Sequence, residues 1–140
     1  MWGIPGSGKS FTANKFGGLV LSTDEYWGED YQFDLAKLSL AHEWNRARTH
    51  CAMKSGEPLI VIDNTNTTEK EWSPYVKLAN LYGYEVEIGY PESPWWNSIS
   101  ERIYNNTFTE SDIDEFVERN THNVPRETIR RMMVRFENHK

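Results

Sequence analysis

The stretch Gly3-Ile4-Pro5-Gly6-Ser7-Gly8-Lys9-Ser10 decides how this chain is read. It satisfies G-x-x-x-x-G-K-[ST], a loop whose glycines let backbone N–H groups turn inward around phosphate oxygens. A helix over Ser10 to about Lys15 would continue from it and add the favourable dipole of its N-terminus. Lys9 would reach the β- and γ-phosphates and Ser10 would ligate Mg²⁺, so the loop reads as the cradle of ATP or GTP. Gly3, Pro5, Gly6, Ser7 and Gly8 form that cradle, and Phe11 joins the nucleotide-binding set just beyond it.

A phosphate loop of this type follows a buried strand, yet only Met1 and Trp2 precede Gly3. The expectation is a truncated or misassigned start, with about five further apolar residues upstream and marginal stability without them. Downstream, Gly17-Gly18 ends the first helix and Leu19-Val20-Leu21-Ser22 reads as a buried strand. Asp34 is placed to cap a long helix with Leu40, Trp44, Ala47 and Cys51 along one face, stopped by Gly56 and Pro58. Leu59-Ile60-Val61-Ile62 is continuously apolar, as in a parallel strand covered on both sides. Thr68 with Glu71 forms a capping box for a helix closed by Gly83, and Val86 and Ile88 mark a third strand. Pro91 and Pro94 bracket a loop leading to Trp95-Trp96. Helices are expected near Ser98 to Asn105, Asp112 to Arg119, and from Pro125 with Ile129, Met132, Met133 and Phe136 on one stripe. Alternating strands and helices of this length predict a P-loop NTPase, a three-layer α/β/α domain on a parallel sheet, over residues 1–140.

At 140 residues one core suffices, and folding should bury roughly two-thirds of the unfolded surface. Nothing approaches the ~20 apolar residues of a membrane span, and the lone Cys51 agrees with a reducing compartment, so the expectation is a cytoplasmic protein. The sequons at Asn66 and Asn105 then read as chance matches. A net charge of −6 argues against broad electrostatic binding to a nucleic-acid backbone; any such contact must be local. Oligomeric state leaves no mark in the sequence.

Two acidic residues complete a candidate site. Asp63 ends an apolar strand and reads as a metal-holding carboxylate or a turn-capping Asp, with Asn64 as a possible companion. Asp24 also follows a strand, so it should emerge on the same edge as the phosphate loop. It reads either as a helix cap or as the base that accepts the proton of an attacking hydroxyl.

Four ordered segments resemble one known group: the phosphate loop, Ser22-Thr23-Asp24-Glu25-Tyr26, Asp63-Asn64-Thr65-Asn66, and Arg119-Asn120-Thr121-His122-Asn123-Val124-Pro125. They look like the P-loop kinase domain of bacteriophage polynucleotide 5′-kinase, and more closely like the related P-loop domains of ubiquitin-ligase-binding proteins. The likeness extends to His42-Glu43-Trp44-Asn45, Pro94-Trp95-Trp96 and Ile129 to Glu137. The resemblance implies that Lys9 and Ser10 bind Mg²⁺-ATP, that Asp24 is the general base toward a 5′-hydroxyl, and that a lid lies at about 98–125. Arg119 or Arg126 would act against the transferring phosphate, with Arg119 the better match and His122 nearby. The phage enzyme carries an arginine three residues after its base, where this chain has Trp27, which could instead stack on a base. Trp44 reads as core rather than as a stacking surface, Trp95-Trp96 could serve as one, and His42 and His50 read as structural. The implied function is transfer of the ATP γ-phosphate to the 5′-hydroxyl of a polynucleotide or nucleotide-like acceptor. The alternatives are a small-molecule kinase and a non-catalytic nucleotide-binding switch.

Overall fold

The computed structural model describes residues 1–136; Glu137, in the closing segment of the resemblance, lies outside them. Six helices surround a small parallel sheet: α1 (Lys9–Lys15), β1 (Leu19–Leu21), α2 (Leu38–Lys54), β2 (Ile60–Ile62), α3 (Glu69–Tyr82), α4 (Pro94–Tyr104), α5 (Glu110–Arg119) and α6 (Arg126–Val134). Single 3-10 turns over Thr23–Trp27 and Leu35–Lys37 separate β1 from α2. Strands β1 and β2 pair in parallel with Leu19 opposite Ile60 and Leu21 opposite Ile62. Being parallel, both deliver the acidic residues that follow them to one end of the sheet. Among the described residues no helix is long and apolar enough to cross a membrane.

The sheet is smaller than expected. Val86 and Ile88 do not form a third strand; between β2 and their segment runs Met1 to Gly3. That short piece is held by the Met1 amine donating to the Ile62 carbonyl at 2.6 Å, Trp2 N–H to Gly89 at 2.8 Å and Gly3 N–H to Thr65 at 3.1 Å. Beside it a trough of about 1210 Å³ opens between β2 and the 85–90 segment, lined by Ile60, Val61, Val86 and Ile88 among others.

The main apolar cluster adjoins the phosphate loop. Trp2 and Ile4, which lead into the loop, pack with Trp96, Ile99 and Ile103 of α4, Ile113 and Phe116 of α5, and Ile129 and Met133 of α6. Helix α4 starts earlier than predicted, with the Ser93 hydroxyl accepting from the Trp96 amide at 3.0 Å and Pro94 in the first turn. Trp96 is therefore only 2% exposed and is core, not a stacking surface. Helix α5 also starts early, at Glu110, behind a capping box of Thr109 and Asp112. Arg102 grips that same Asp112 through Nε at 3.2 Å and Nη2 at 2.6 Å, which holds its carboxyl below the usual carboxylate range.

The buried face of α2 is not the predicted one. Leu40 is 52% exposed and Ala47 and Cys51 face out, whereas Ala41, Asn45, Thr49, Ala52 and Met53 face in. Two polar side chains can occupy that stripe because each is satisfied: Asn45 donates to Tyr75 at 3.0 Å and Thr49 to the Asn45 carbonyl at 2.7 Å. Trp44 is half-buried beneath the Arg48 guanidinium, 4.0 Å from its ring. Asp34 caps the 3-10 turn before α2 rather than α2 itself. Glu71 accepts from Thr67, not Thr68, because Arg135 draws the same carboxylate and Thr67 into one contact.

A strand placed in the trough beside β2 should add apolar contacts worth ~1.5–3 kcal/mol per buried side chain. Fusing about five strand-forming apolar residues ahead of Met1 is therefore expected to raise the melting temperature by about 5 °C or more, and calorimetry that finds equal melting refutes it.

Candidate functional site

The phosphate loop folds as its composition demands. Gly6 and Gly8 adopt φ of +84° and +87°, left-handed values that favour glycine, and Gly8 stands at the N-terminus of α1. Gly3 has a different reason: a Cβ there would lie 2.5 Å from Ser7 Oγ. Gly6 has both, since its Cβ would meet the Phe116 carbonyl at 2.6 Å and the Asn120 amide at 3.1 Å. The C-terminal end of α5 thus rests directly on the phosphate loop.

Around this loop are buried polar atoms with no protein partner. Ser7 Oγ and Asp63 Oδ1 are both buried and unbonded, on residues only 3% and 5% exposed. Buried polar groups are ordinarily hydrogen-bonded, so two such atoms beside a phosphate loop fit a polar ligand and its cation. Asp63 is fixed by its own amide donating to Leu21 O at 3.0 Å. It and Lys9 both act electrostatically on the Met1 amine, whose burial pulls it down to about 6. Lys9 is half-buried, whereas Ser10 and Phe11 are exposed, Phe11 at 69% with Lys15 Nζ 4.6 Å from its ring centroid. Among the described residues no three His, Cys, Asp or Glu side chains are gathered to hold a metal by themselves.

Asp24 sits in the 3-10 turn after β1. Ser22 and Glu25 close that turn as a capping box, and Arg48 of α2 donates to Asn45 Oδ1 and to the Ser22 carbonyl, both at 2.9 Å, and pairs with Glu25. Asn64 is not at a metal position; its Oδ1 accepts from the Thr23 amide at 2.9 Å and its amide donates to Tyr75 at 3.3 Å. Thr23 and Asn64 are thereby locked together beneath the site. The Asp24 carboxylate is half-exposed, accepts from Tyr31 at 3.1 Å and lies 3.7 Å from His122 Nε2.

The two candidate arginines, Arg119 and Arg126, differ. Arg119 lies beside Gly6, its Cβ 3.2 Å from where a Gly6 side chain would start. Its guanidinium is 4.0 Å from the Trp95 ring centroid and about as close to Glu115, at 3.2 Å. Trp95 is thus an arginine support. Arg126 is engaged by Glu110 at 2.7 Å and Asp114 at 2.8 Å, pinning α6 to α5. Trp27 is 8% exposed, edge-on to Tyr26 and Phe33 at 5.1 and 5.0 Å, so it packs inside the acceptor segment instead of offering a ring to a base. Burial and the neighbouring Arg46 hold His42 below its ordinary value, and it contacts Thr23 Oγ1 at 3.5 Å.

An AAA domain family matches residues 1–139 of this sequence. The chain belongs to that family. NEDD4-binding protein 2 of Homo sapiens is 37% identical over 142 residues, an alignment covering 96% of this chain and 7% of that protein. No solved structure matches. Membership makes nucleotide binding by this AAA domain the function of its P-loop.

Tyr31 and Tyr75 escaped the sequence reading, whereas Trp95 and Asn64 were read in other roles, as a stacking surface and as a companion of Asp63. Asn45, Asn64 and Trp95 each lie in a segment of the resemblance. Tyr31 and Tyr75 depend on tertiary contacts that spacing does not carry.

The two left-handed glycines of the loop separate strain from collision. Gly6→Ala should displace the end of α5 and weaken ATP binding by about tenfold or more, because a Cβ there meets backbone. Gly8→Ala adds a left-handed alanine in open space and should leave α5 in place. Hydrogen exchange of residues 116–120 in the two variants checks this; equal acceleration in both overturns it.

Proposed function

We propose that this AAA domain is a Mg²⁺-ATP-dependent phosphotransferase whose acceptor is the 5′-hydroxyl of a polynucleotide or a nucleotide-like molecule. One observation carries the reading: a single lid touches both halves of the site. The end of α5 rests on Gly6 of the donor loop, and His122, three residues after Arg119, reaches Asp24 on the acceptor side. A binding module has no need to join its phosphate loop to a carboxylate emerging from another strand.

In the reaction the acceptor oxygen bonds to the γ-phosphorus while the bond from that phosphorus to the bridging oxygen breaks, leaving ADP. Asp24 takes the hydroxyl proton and later releases it to water. The loop amides and Lys9 hold the phosphates, and Arg119 swings from Trp95 and Glu115 toward the transferring group. Ser10 and Asp63 would hold Mg²⁺, which supplies charge neutralisation when bound. Phe11, exposed one residue past the loop, borders the nucleotide, and Arg126 acts through the α5–α6 contact. The three-layer α/β/α architecture would be complete with a strand in the trough.

A small hydroxylated molecule is the second reading for the acceptor. It is favoured by the burial of Trp27, which leaves no guanidinium where the phage kinase has one, and by the net charge of −6. The chain spans about 7% of its curated relative, so what that protein binds bears on this domain only as context.

Asp24→Ala is expected to lower transfer from γ-labelled ATP to a 5′-hydroxyl oligonucleotide by roughly 10²- to 10⁴-fold while ATP still binds. Retained transfer removes Asp24 as the base. ATP binding by the unaltered protein without labelling of any oligonucleotide moves the reading to a small acceptor.

A further inference from the structure

Both carboxylate oxygens of Asp24 are already addressed by side chains, Tyr31 from outside the quoted motifs and His122 from the last of them. Tyr31 Oη donates to Oδ1 at 3.1 Å, and His122 Nε2 lies 3.7 Å from Oδ2. The two rings stack on one another, centroids 4.1 Å apart and planes 23° from parallel. Tyr31 arrives from the acceptor loop and His122 from the lid, so Asp24 is where those two segments meet.

The backbone is shaped to bring them there. Tyr31 takes φ of +43°, left-handed for a bulky residue, and strain of this kind persists where the surroundings over-determine it. On the lid, Asn120 Oδ1 accepts from the His122 amide at 3.0 Å and the Val124 amide at 3.1 Å, which folds the turn that presents His122. The backbone amide of this Asn120 abuts Gly6. One turn is therefore anchored at one end on the phosphate loop and at the other on Asp24.

We infer that Tyr31 is a positioning residue that fixes the Asp24 carboxylate, and that His122 latches the lid turn over that same carboxylate until an acceptor hydroxyl takes its place. This rests on Asp24 being the base of the proposed transfer. Tyr31 suits a fixed role. Burial, with Asp24 beside it, pushes its phenol upward, so it stays protonated and keeps donating. His122 suits a replaceable one, being half-exposed and at the longer distance. From α2 the group facing this corner is His42, which is occupied with Thr23, and Glu25 is held away by Arg48. With Oδ1 committed to Tyr31, Oδ2 is the oxygen left to receive the hydroxyl proton.

The inference is tested on the full chain with three variants. Tyr31→Phe should lower kcat by about tenfold, as for loss of one hydrogen bond to a charged group, with the ATP Kd and acceptor KM within about twofold of the parent. His122→Ala and Asp24→Ala should each speed hydrogen exchange of residues 120–125 several-fold without lowering the melting temperature. His122→Gln, which restores a donor, should recover much of the protection. If Asp24→Ala abolishes transfer but Tyr31→Phe keeps full kcat, the positioning role falls and the base stands. Unchanged lid exchange in both His122→Ala and Asp24→Ala removes the latch whatever the activity. Transfer that survives Asp24→Ala overturns the base, and with it this inference.

Discussion

The end of α5 lies so close to Gly6 that a single methyl group would collide with the Phe116 carbonyl. Much of the domain follows from that approach. Phe116 is fully buried beside Trp95 and Trp96, so the helix cannot back away without opening the core that also holds Trp2 and Ile4. The phosphate loop is thus clamped from two directions, by its own entry residues in the core and by the helix resting on its turn. A left-handed glycine is needed for the turn and also for the clamp. The Cβ of Arg119 lies beside the phosphate loop as a consequence, because Arg119 is the last residue of the helix that makes the contact.

The corner that carries Asp24 depends on polar bonds where the phosphate loop depends on apolar packing. Asn64 and Asn45 both donate to the Tyr75 hydroxyl, and Asn64 also accepts from the Thr23 amide. These groups are buried, so leaving any one unpaired would cost about 1–3 kcal/mol, which makes the arrangement stiff. Its effect is to tie the end of β1 to the end of β2 at a fixed separation. Asp24 directly follows the tied Thr23, and Asp63 directly precedes the tied Asn64. Electrostatic roles need charges held in place before the ligand arrives, and a buried amide network holds them better than surface ion pairs would.

How much of this was legible follows from what each kind of contact writes into sequence. The phosphate loop was readable because the glycine requirement is local: φ above zero leaves few alternatives. Strands β1 and β2 were readable as short apolar runs, and their ends located Asp24 and Asp63. The face of α2 was misread because Asn45 and Thr49 are buried, and a periodicity built on apolar residues assigns such positions to solvent. Trp27 and Trp96 were candidates for stacking because an indole looks the same in sequence whether it meets a ligand or a core. Ser93 is an ordinary cap, but the prolines around it drew attention to a loop and delayed the start of α4. Val86 and Ile88 have the composition of a strand, and a strand needs a partner within hydrogen-bonding reach, which composition does not record.

The contrast between the two halves bears on how they can be coupled. A packed clamp yields only in discrete steps, since moving α5 means repacking Phe116 against Trp95 and Trp96. A half-exposed pair such as Asp24 and His122 yields easily, because water and an incoming hydroxyl can replace it. The lid turn joins one contact of each kind within the few residues from Phe116 to His122. Motion admitted at the acceptor end is therefore resisted at the donor end, so the turn pivots about Gly6 instead of lifting away. Under the proposed transfer, a pivot of that sort would admit an acceptor while the Cβ of Arg119 stays beside Gly6, which a turn hinged at its far end would not provide.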